Sequence, residues 1–204
     1  MMLIYCGVNK GSTFRSLIPK HKYSYGFEAS PGPCRKLRRM FADDLSVTII
    51  HAALSAKHGG TIPFNVYSHS GSSSIGHLSP EHIARWEQAT GKTLSIAKTV
   101  DVPAINLGYF CVGVGITYID HLVTDLQGMD LEVLTSVHVL FGLENVGKIM
   151  CEVQKNDVDP SYPDLPDNKR ARFESLLGAT HKVVRENTRP EWKTVDIVWE
   201  PRKA

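Results

Sequence analysis

The 204-residue chain lacks the marks of a secreted, membrane-bound or polyanion-binding protein. Its four cysteines, Cys6, Cys34, Cys111 and Cys151, are scattered, with no C-x-x-C pair and no zinc spacing. So sparse a set argues against a disulfide framework, and a reducing, cytoplasmic location is expected. No apolar run approaches the roughly 20 residues that span a bilayer. The N-terminus has neither a charged lead nor a cleavage site, so neither a signal peptide nor a membrane partner is expected. The formal net charge of +2 supplies no bulk attraction for nucleic acid, which is not an expected partner. No repeat and no linker is apparent. Residues 1–204 therefore read as one domain, long enough for its own core, with a hairpin and loop insertion within 55–115.

What is present is an alternation of strands and helices. The pattern predicts strands over 2–6, 23–29 and 46–54 and helices over 12–18 and from Ser30 onward, where Ser30 is a plausible N-cap. Residues 56–78, rich in Gly and Ser, predict a hairpin and a flexible loop. A polar helix follows over 80–90, then a strand pair with a turn over 93–106. A strand over 116–126, a helix over 129–140 and a strand over 147–154 come next. After a Pro/Asp-rich loop over 157–167, a helix over 168–178 precedes closing strands near 181–186 and 194–200. Such alternation implies a mostly parallel sheet with helices on both faces. The short link between the closing strands adds an antiparallel edge hairpin.

Ligands of an open parallel sheet bind beyond the carboxyl ends of its strands. After the first strand comes Gly7-Val8-Asn9-Lys10-Gly11, a glycine turn that opens a helix; backbone can approach a ligand closely there. Its spacing is not G-x-G-x-x-G, which counts against a dinucleotide. Glu28, followed by Ala29, ends the second strand about 20 residues later, where an acid can accept both ribose hydroxyls. His51-Ala52-Ala53 lies late in the third strand, and Asp125-Leu126-Gln127-Gly128 follows the 116–126 strand. His69 and His77 flank "SGSSSIG", where either can serve as a base from a loop. Each also reads simply as a polar surface residue. Asp120 and His121 lie inside a strand, where a buried, hydrogen-bonded histidine is expected. "RKLRR", 35–39, reads as the solvated face of a helix.

Taken together, "YCGVNKGSTFRSLI", "YGFEASPGPCRKLRRMF", "HAALSAKHGGTIPFNVYSHSGSSSIGHL", "YIDHLVTDLQGMDLEVL" and "IMCEVQ" resemble the FkbM-type S-adenosylmethionine-dependent methyltransferases. The resemblance implies an α/β Rossmann-like class I methyltransferase fold with an antiparallel C-terminal strand. It implies S-adenosyl-L-methionine as methyl donor and a hydroxyl acceptor on a small molecule or glycan. Gly7, Asn9 and Gly11 match the first cofactor loop, Glu28 the ribose-binding acid, and Ala52 and Ala53 the stretch passing the adenine. Asp125, Gln127 and Gly128 match the motif on the methionine and substrate side. Cys6 stands where the resemblance leads one to expect a cofactor-holding Asp, and Val123 where it leads one to expect Lys; Asp130 replaces Glu.

The resulting expectation is O-methylation by in-line displacement. Cys6, Gly7, Asn9, Gly11, Glu28, Ala29, Ala52, Ala53, Asp125 and Gln127 would hold the cofactor. Asp125, then His69, then His121 are the candidate bases. No ligand cluster suggests a metal, and a homo-oligomer is left open. Three rivals stand beside this reading: a degenerate, non-catalytic member of the same fold, a nicotinamide-dependent oxidoreductase, and a nucleic-acid methyltransferase.

Overall fold

The apolar run near the start of the chain forms β1 (Met2–Cys6), with four of its five side chains buried. The computed structural model describes residues 1–188 and 193–202. In chain order there follow α1 (Ser12–Leu17), β2 (Tyr23–Glu28), α2 (Pro31–Met40), β3 (Val47–His51), β4 (Ala53–Leu54) and β5 (Thr61–Tyr67). Then come α3 (Pro80–Thr90), β6 (Ile96–Ile105), α4 (Leu107–Gly113), β7 (Ile119–Thr124), α5 (Asp130–Leu140) and β8 (Val146–Gln154). The chain closes with α6 (Arg170–Leu177), β9 (His181–Thr188) and β10 (Thr194–Pro201). No helix among the described residues is long and apolar enough to cross a membrane.

Seven strands form the main sheet in the order β3-β2-β1-β7-β8-β10-β9. Strands β1, β2, β3, β7 and β8 run parallel. β10 inserts antiparallel between β8 and β9, so the expected edge hairpin is present with its antiparallel member one place in from the edge. The order reverses at β1, which sits between β2 and β7. That reversal is where an α/β sheet opens a crevice for ligands.

Side chains alternate across a strand, and β1 shows what this does. Leu3 and Tyr5 join one core with Phe14 of α1 and Cys34 and Leu37 of α2. Ile4 and Cys6 join the other, with Leu107 and Cys111 of α4, Leu134 and Val137 of α5 and Phe173 of α6. Because helices cover both faces, the central strands carry nearly unbroken apolar runs. Burying each such large side chain contributes about 1.5–3 kcal/mol.

Three expectations differ from the structure outside the main sheet. The strand predicted over 46–54 is two strands: β3 ends at His51, whose Nε2 lies 3.0 Å from the Ala29 carbonyl, and β4 leaves for a second sheet. That sheet has the order β4-β6-β5. The strand pair predicted over 93–106 is the single ten-residue β6, despite Pro103 within it. Ala104 bonds to the Gly59 and Gly60 backbone on the β5 side. The adjacent Pro103 therefore turns its nitrogen to the other edge, where β4 pairs over only two residues and no donor is missed. The segment 56–78 is more ordered than a flexible loop. Asn65 on β5 is buried and donates to the Gly76 carbonyl at 3.1 Å, which folds the chain after β5 back over it.

α4 was not anticipated from the sequence. Its seven residues are too few to display a helical period, although Asn106 caps it by accepting the Tyr109 N–H at 3.2 Å. Ser30 occupies the N-cap position of α2 without a side-chain cap bond, and gives its backbone N–H to Glu28 instead.

Candidate functional site

Gly7 leaves β1 with φ +85°, and a Cβ there would stand 2.0 Å from the backbone oxygen of Asp125. Only glycine permits this approach of the two strand tips. The Asp125 N–H in turn donates to the Cys6 carbonyl at 3.0 Å. Asn9 follows with φ 49°, a left-handed geometry that Asn tolerates. Its backbone N–H donates to Glu28 Oε2 at 2.6 Å, while Glu28 Oε1 accepts the Ser30 N–H at 2.6 Å. The end of β2 is thereby tied to the bend after β1.

These tips line one cleft. Gly7, Asn9, Glu28, Ala29, Ala52, Ala53, Asp125 and Gln127 all face it. Burial raises the Glu28 pKa, and its two backbone donors oppose that rise. The side-chain oxygen of Asn9 is buried with no hydrogen-bond partner among the described residues. A buried acceptor costs free energy when unpaired, so this oxygen marks a place for a donor from a ligand. Phe64, Gly71, Ser73 and Ile75 of the inserted segment form the opposite wall and were not anticipated, because no local pattern shows that the insertion folds back over the strand tips.

Gly71, Asp125 and Gln127 also line a second, larger cavity. Asp125 is walled in by protein yet open to the cleft. Its pKa is raised by burial and by Asp196, while a hydrogen bond from Gln127 Nε2 to Oδ1 at 2.8 Å lowers it. The same amide nitrogen lies 3.2 Å from Glu152 Oε2, and Thr194 Oγ1 donates to Glu152 Oε1 at 3.0 Å. Burial and the neighbouring Asp125 push Glu152 well above the usual carboxylate range. Two carboxyls bridged by one amide resist ionising together. The strand-tip rule that selected Glu28 and Asp125 also selects Glu152, since Thr124 and Cys151 are in register and Glu152 is the next residue of β8. Tyr162 closes this side with its hydroxyl 2.9 Å from the Ser72 carbonyl and 3.2 Å from Gln127 Oε1.

Several anticipated residues fall elsewhere. Gly11 does not line the cleft; it precedes α1 with φ +80°, tight against Leu37. Cys6 is fully buried, its side chain in the core with Cys111 and near Asp130. The alternation of β1 turns Cys6 away from the cleft, so it contributes only backbone there. Val123 is likewise core. His121 lies earlier on β7, beside Leu3 rather than at the strand tip, with its ring 5.7 Å from that of His21. Burial and the nearby His21 press its pKa to about 4. It faces neither cavity, and the base role expected for it is withdrawn. His77 is paired with Asp164 at 2.7 Å on the surface. His69 lines the second cavity, stacked on Trp86 at 4.4 Å between ring centres. Burial, then Lys10, lowers its pKa, so it is neutral at neutral pH. The hydrogen-bonded histidine expected in this strand is not found: His121 Nε2 is buried without a hydrogen-bond partner among the described residues, while the half-buried Asp120 accepts the Met2 N–H at 2.5 Å.

Two outcomes test this geometry. Cys6→Asp would place a carboxyl in the core near Asp130 rather than in the cleft. It should lower the unfolding free energy by about 3 kcal/mol or more in urea denaturation; an unchanged midpoint would mean that the side chain reaches solvent. Asp130 is fully buried and its pKa is pushed up from 3.8 to about 7, first by burial and then by Asp125. Its contribution to stability is complete below about pH 4 and is lost as the pH rises through 7. Asp130→Asn keeps an oxygen for the Leu126 N–H, and should gain stability over wild type at pH 8 relative to pH 5. Parallel stability curves would refute the assignment.

A profile of the methyltransferase FkbM domain matches residues 6–172. No curated protein matches the chain. Among solved structures, the fibrillarin pre-rRNA processing protein of Methanococcus jannaschii is similar at TM-score 0.51 and 13% identity, over 98% of this chain and 66% of that one. The fibrillarin of Aeropyrum pernix, solved with natively bound S-adenosyl-L-methionine, gives TM-score 0.48 and 11% identity over 97% and 65%. Magnesium protoporphyrin IX methyltransferase from Synechocystis, with bound SAM, gives 0.47 and 9% over 98% and 69%. The chain thus spans about two thirds of the length of these structures. At such identities the likeness concerns the fold, and here it is the class I methyltransferase sheet with the order and direction of strands described above. The domain match extends from the last residue of β1 into α6, so the chain belongs to the FkbM methyltransferase family.

Proposed function

We propose that the chain is an S-adenosylmethionine-dependent methyltransferase that acts on the hydroxyl of a small molecule or glycan. The observation that carries this is the convergence of Gly7, Asn9 and Glu28 on one cleft that shares Asp125 and Gln127 with a second cavity. The orphaned side-chain oxygen of Asn9 and the glycine approach at Gly7 fit an adenosyl ligand. Glu28 would accept from the ribose hydroxyls with the lone pairs that its two backbone donors leave over. Ala52, Ala53 and Leu54 would lie along the base, where small and apolar side chains leave room for a flat ring. When bound, S-adenosyl-L-methionine supplies a methyl group already activated on a sulfonium.

The chain's remaining work is alignment and proton handling. Asp125 stands between the two cavities and takes the proton from the acceptor hydroxyl. Its raised pKa makes it a stronger base than a solvated carboxylate. Gln127 holds Asp125 in place and shares its amide with Glu152. Burial and the neighbouring Asp125 favour the neutral form of Glu152, so the bridged pair carries one negative charge more readily than two. His69, neutral and at the wall of the same cavity, is the second base candidate.

A non-catalytic member of the family is the rival reading, prompted by Cys6 and Val123. Both lie inside the core, so neither departure alters the lining of the cleft.

Calorimetry with S-adenosylmethionine and S-adenosylhomocysteine tests the cofactor: binding of both is expected, and binding of neither sinks the proposal. Glu28→Ala should weaken S-adenosylhomocysteine about ten- to a hundredfold through lost ribose bonds; unchanged affinity would remove Glu28 from the site. Asp125→Asn should slow methyl transfer by about 10²–10⁴-fold, followed as S-adenosylhomocysteine release over a panel of hydroxyl compounds. Transfer at the wild-type rate would exclude Asp125 as the base.

A further inference from the structure

The second cavity carries charge of both signs. Asp125 and Glu152 line it, with Asp196 close enough to raise the pKa of both. Arg85 of α3 lines it too, and so does Lys193, just before β10. These two cations lie near one another, since both act on His82, a third lining residue whose pKa is lowered first by burial and then by them. Glu87, two residues along α3, is turned to accept the Leu94 N–H. Lys193 Nζ donates to a neutral partner, the Asp159 carbonyl, at 3.1 Å. Arg85 enters none of the ion pairs found among the described residues. Trp86, half-buried and with its ring against that of His69, also lines the cavity.

Resting on the reading of the first cleft as a cofactor seat, we infer that the acceptor is a ring-bearing hydroxy acid, bound with its hydroxyl at Asp125 and its anionic group between Arg85 and Lys193. An anionic group seated the other way round would face the Asp125 carboxylate, which repels it. A guanidinium fork matches a carboxylate with two parallel hydrogen bonds and so fixes its direction. Trp86 in the same wall gives a ring, aromatic or sugar, an aromatic neighbour to pack against. A cationic group in place of the anionic one is repelled by the two cations.

The test is calorimetric, on the full chain saturated with S-adenosylhomocysteine, whose own binding is measured first. Failure of that first titration overturns the cofactor reading; all later outcomes bear on the acceptor. Two pairs of probes differ in charge alone at one end: 4-hydroxybenzoate against 4-hydroxybenzyl alcohol, and glucuronate against glucose. In at least one pair the acid should bind about tenfold or more tighter than its neutral partner, as charge-assisted hydrogen bonds require. The pair that shows it separates an aromatic from a sugar acceptor. Arg85→Gln and Lys193→Gln should each shrink the preference several-fold, and Arg85→Lys should restore part of it. Equal affinities within both pairs, no binding by any probe to protein that has taken up S-adenosylhomocysteine, or a preference that survives both glutamine variants would overturn the inference.

Discussion

The closeness of two strand tips governs everything at this site. The backbone oxygen of Asp125 occupies the space that a side chain on residue 7 would need, and the Asp125 N–H is bonded to the Cys6 carbonyl. Gly7 therefore lets the end of β7 close on the end of β1. Glu28 makes the corresponding tie on the other side, holding the Asn9 and Ser30 backbone with its two oxygens. Three strand ends are thereby joined, two by backbone and the third through the Glu28 carboxylate. A cleft built this way can present small polar groups at fixed positions while its floor stays rigid.

The inserted segment supplies the side of the site that the sheet cannot. β5 and the turn after it lean over the cleft, and Ser74 Oγ donates to the Gln127 carbonyl at 2.9 Å. The loop before α6 is fastened to the same segment through Tyr162 and Ser72 and through the His77–Asp164 pair. An exposed ion pair of that kind adds little stability by itself. The buried hydroxyl of Tyr162 matters more, because it reaches Gln127 at the boundary between the two cavities. The cofactor side and the acceptor side are therefore coupled through one amide side chain, with a left-handed backbone at φ 53° followed by glycine.

Much of the main sheet was legible because its physics is local. Apolar runs with Gly or Asp at their ends marked β1, β2, β7 and β8, and the rule that ligands gather at strand tips pointed to Gly7, Asn9, Glu28 and Asp125, all of which line the cleft. The same rule applied to "IMCEVQ" would have found Glu152. The weaker predictions were those that needed a partner to be known. Cys6 was expected to meet a ligand because it stands where the resemblance leads one to expect a cofactor-holding Asp, but strand alternation sends its side chain into the core. His121 was weighed by chemical type, whereas its position along β7 keeps it from the tip. α4 was too short to show a period, and β6 carries a proline that is harmless only because of which edge it faces.

The order of apolar and polar residues along the chain thus determined the elements, the two-faced burial of the sheet and the glycine bend, since each depends on neighbours within a few positions. Tertiary structure alone decided that residues of 64–75 wall the cleft, that Asp125 and Glu152 share Gln127, and that Arg85 and Lys193 line one cavity. Those pairings join residues far apart in sequence. Their chemistry comes from burial and from the charges brought alongside, which no local pattern specifies.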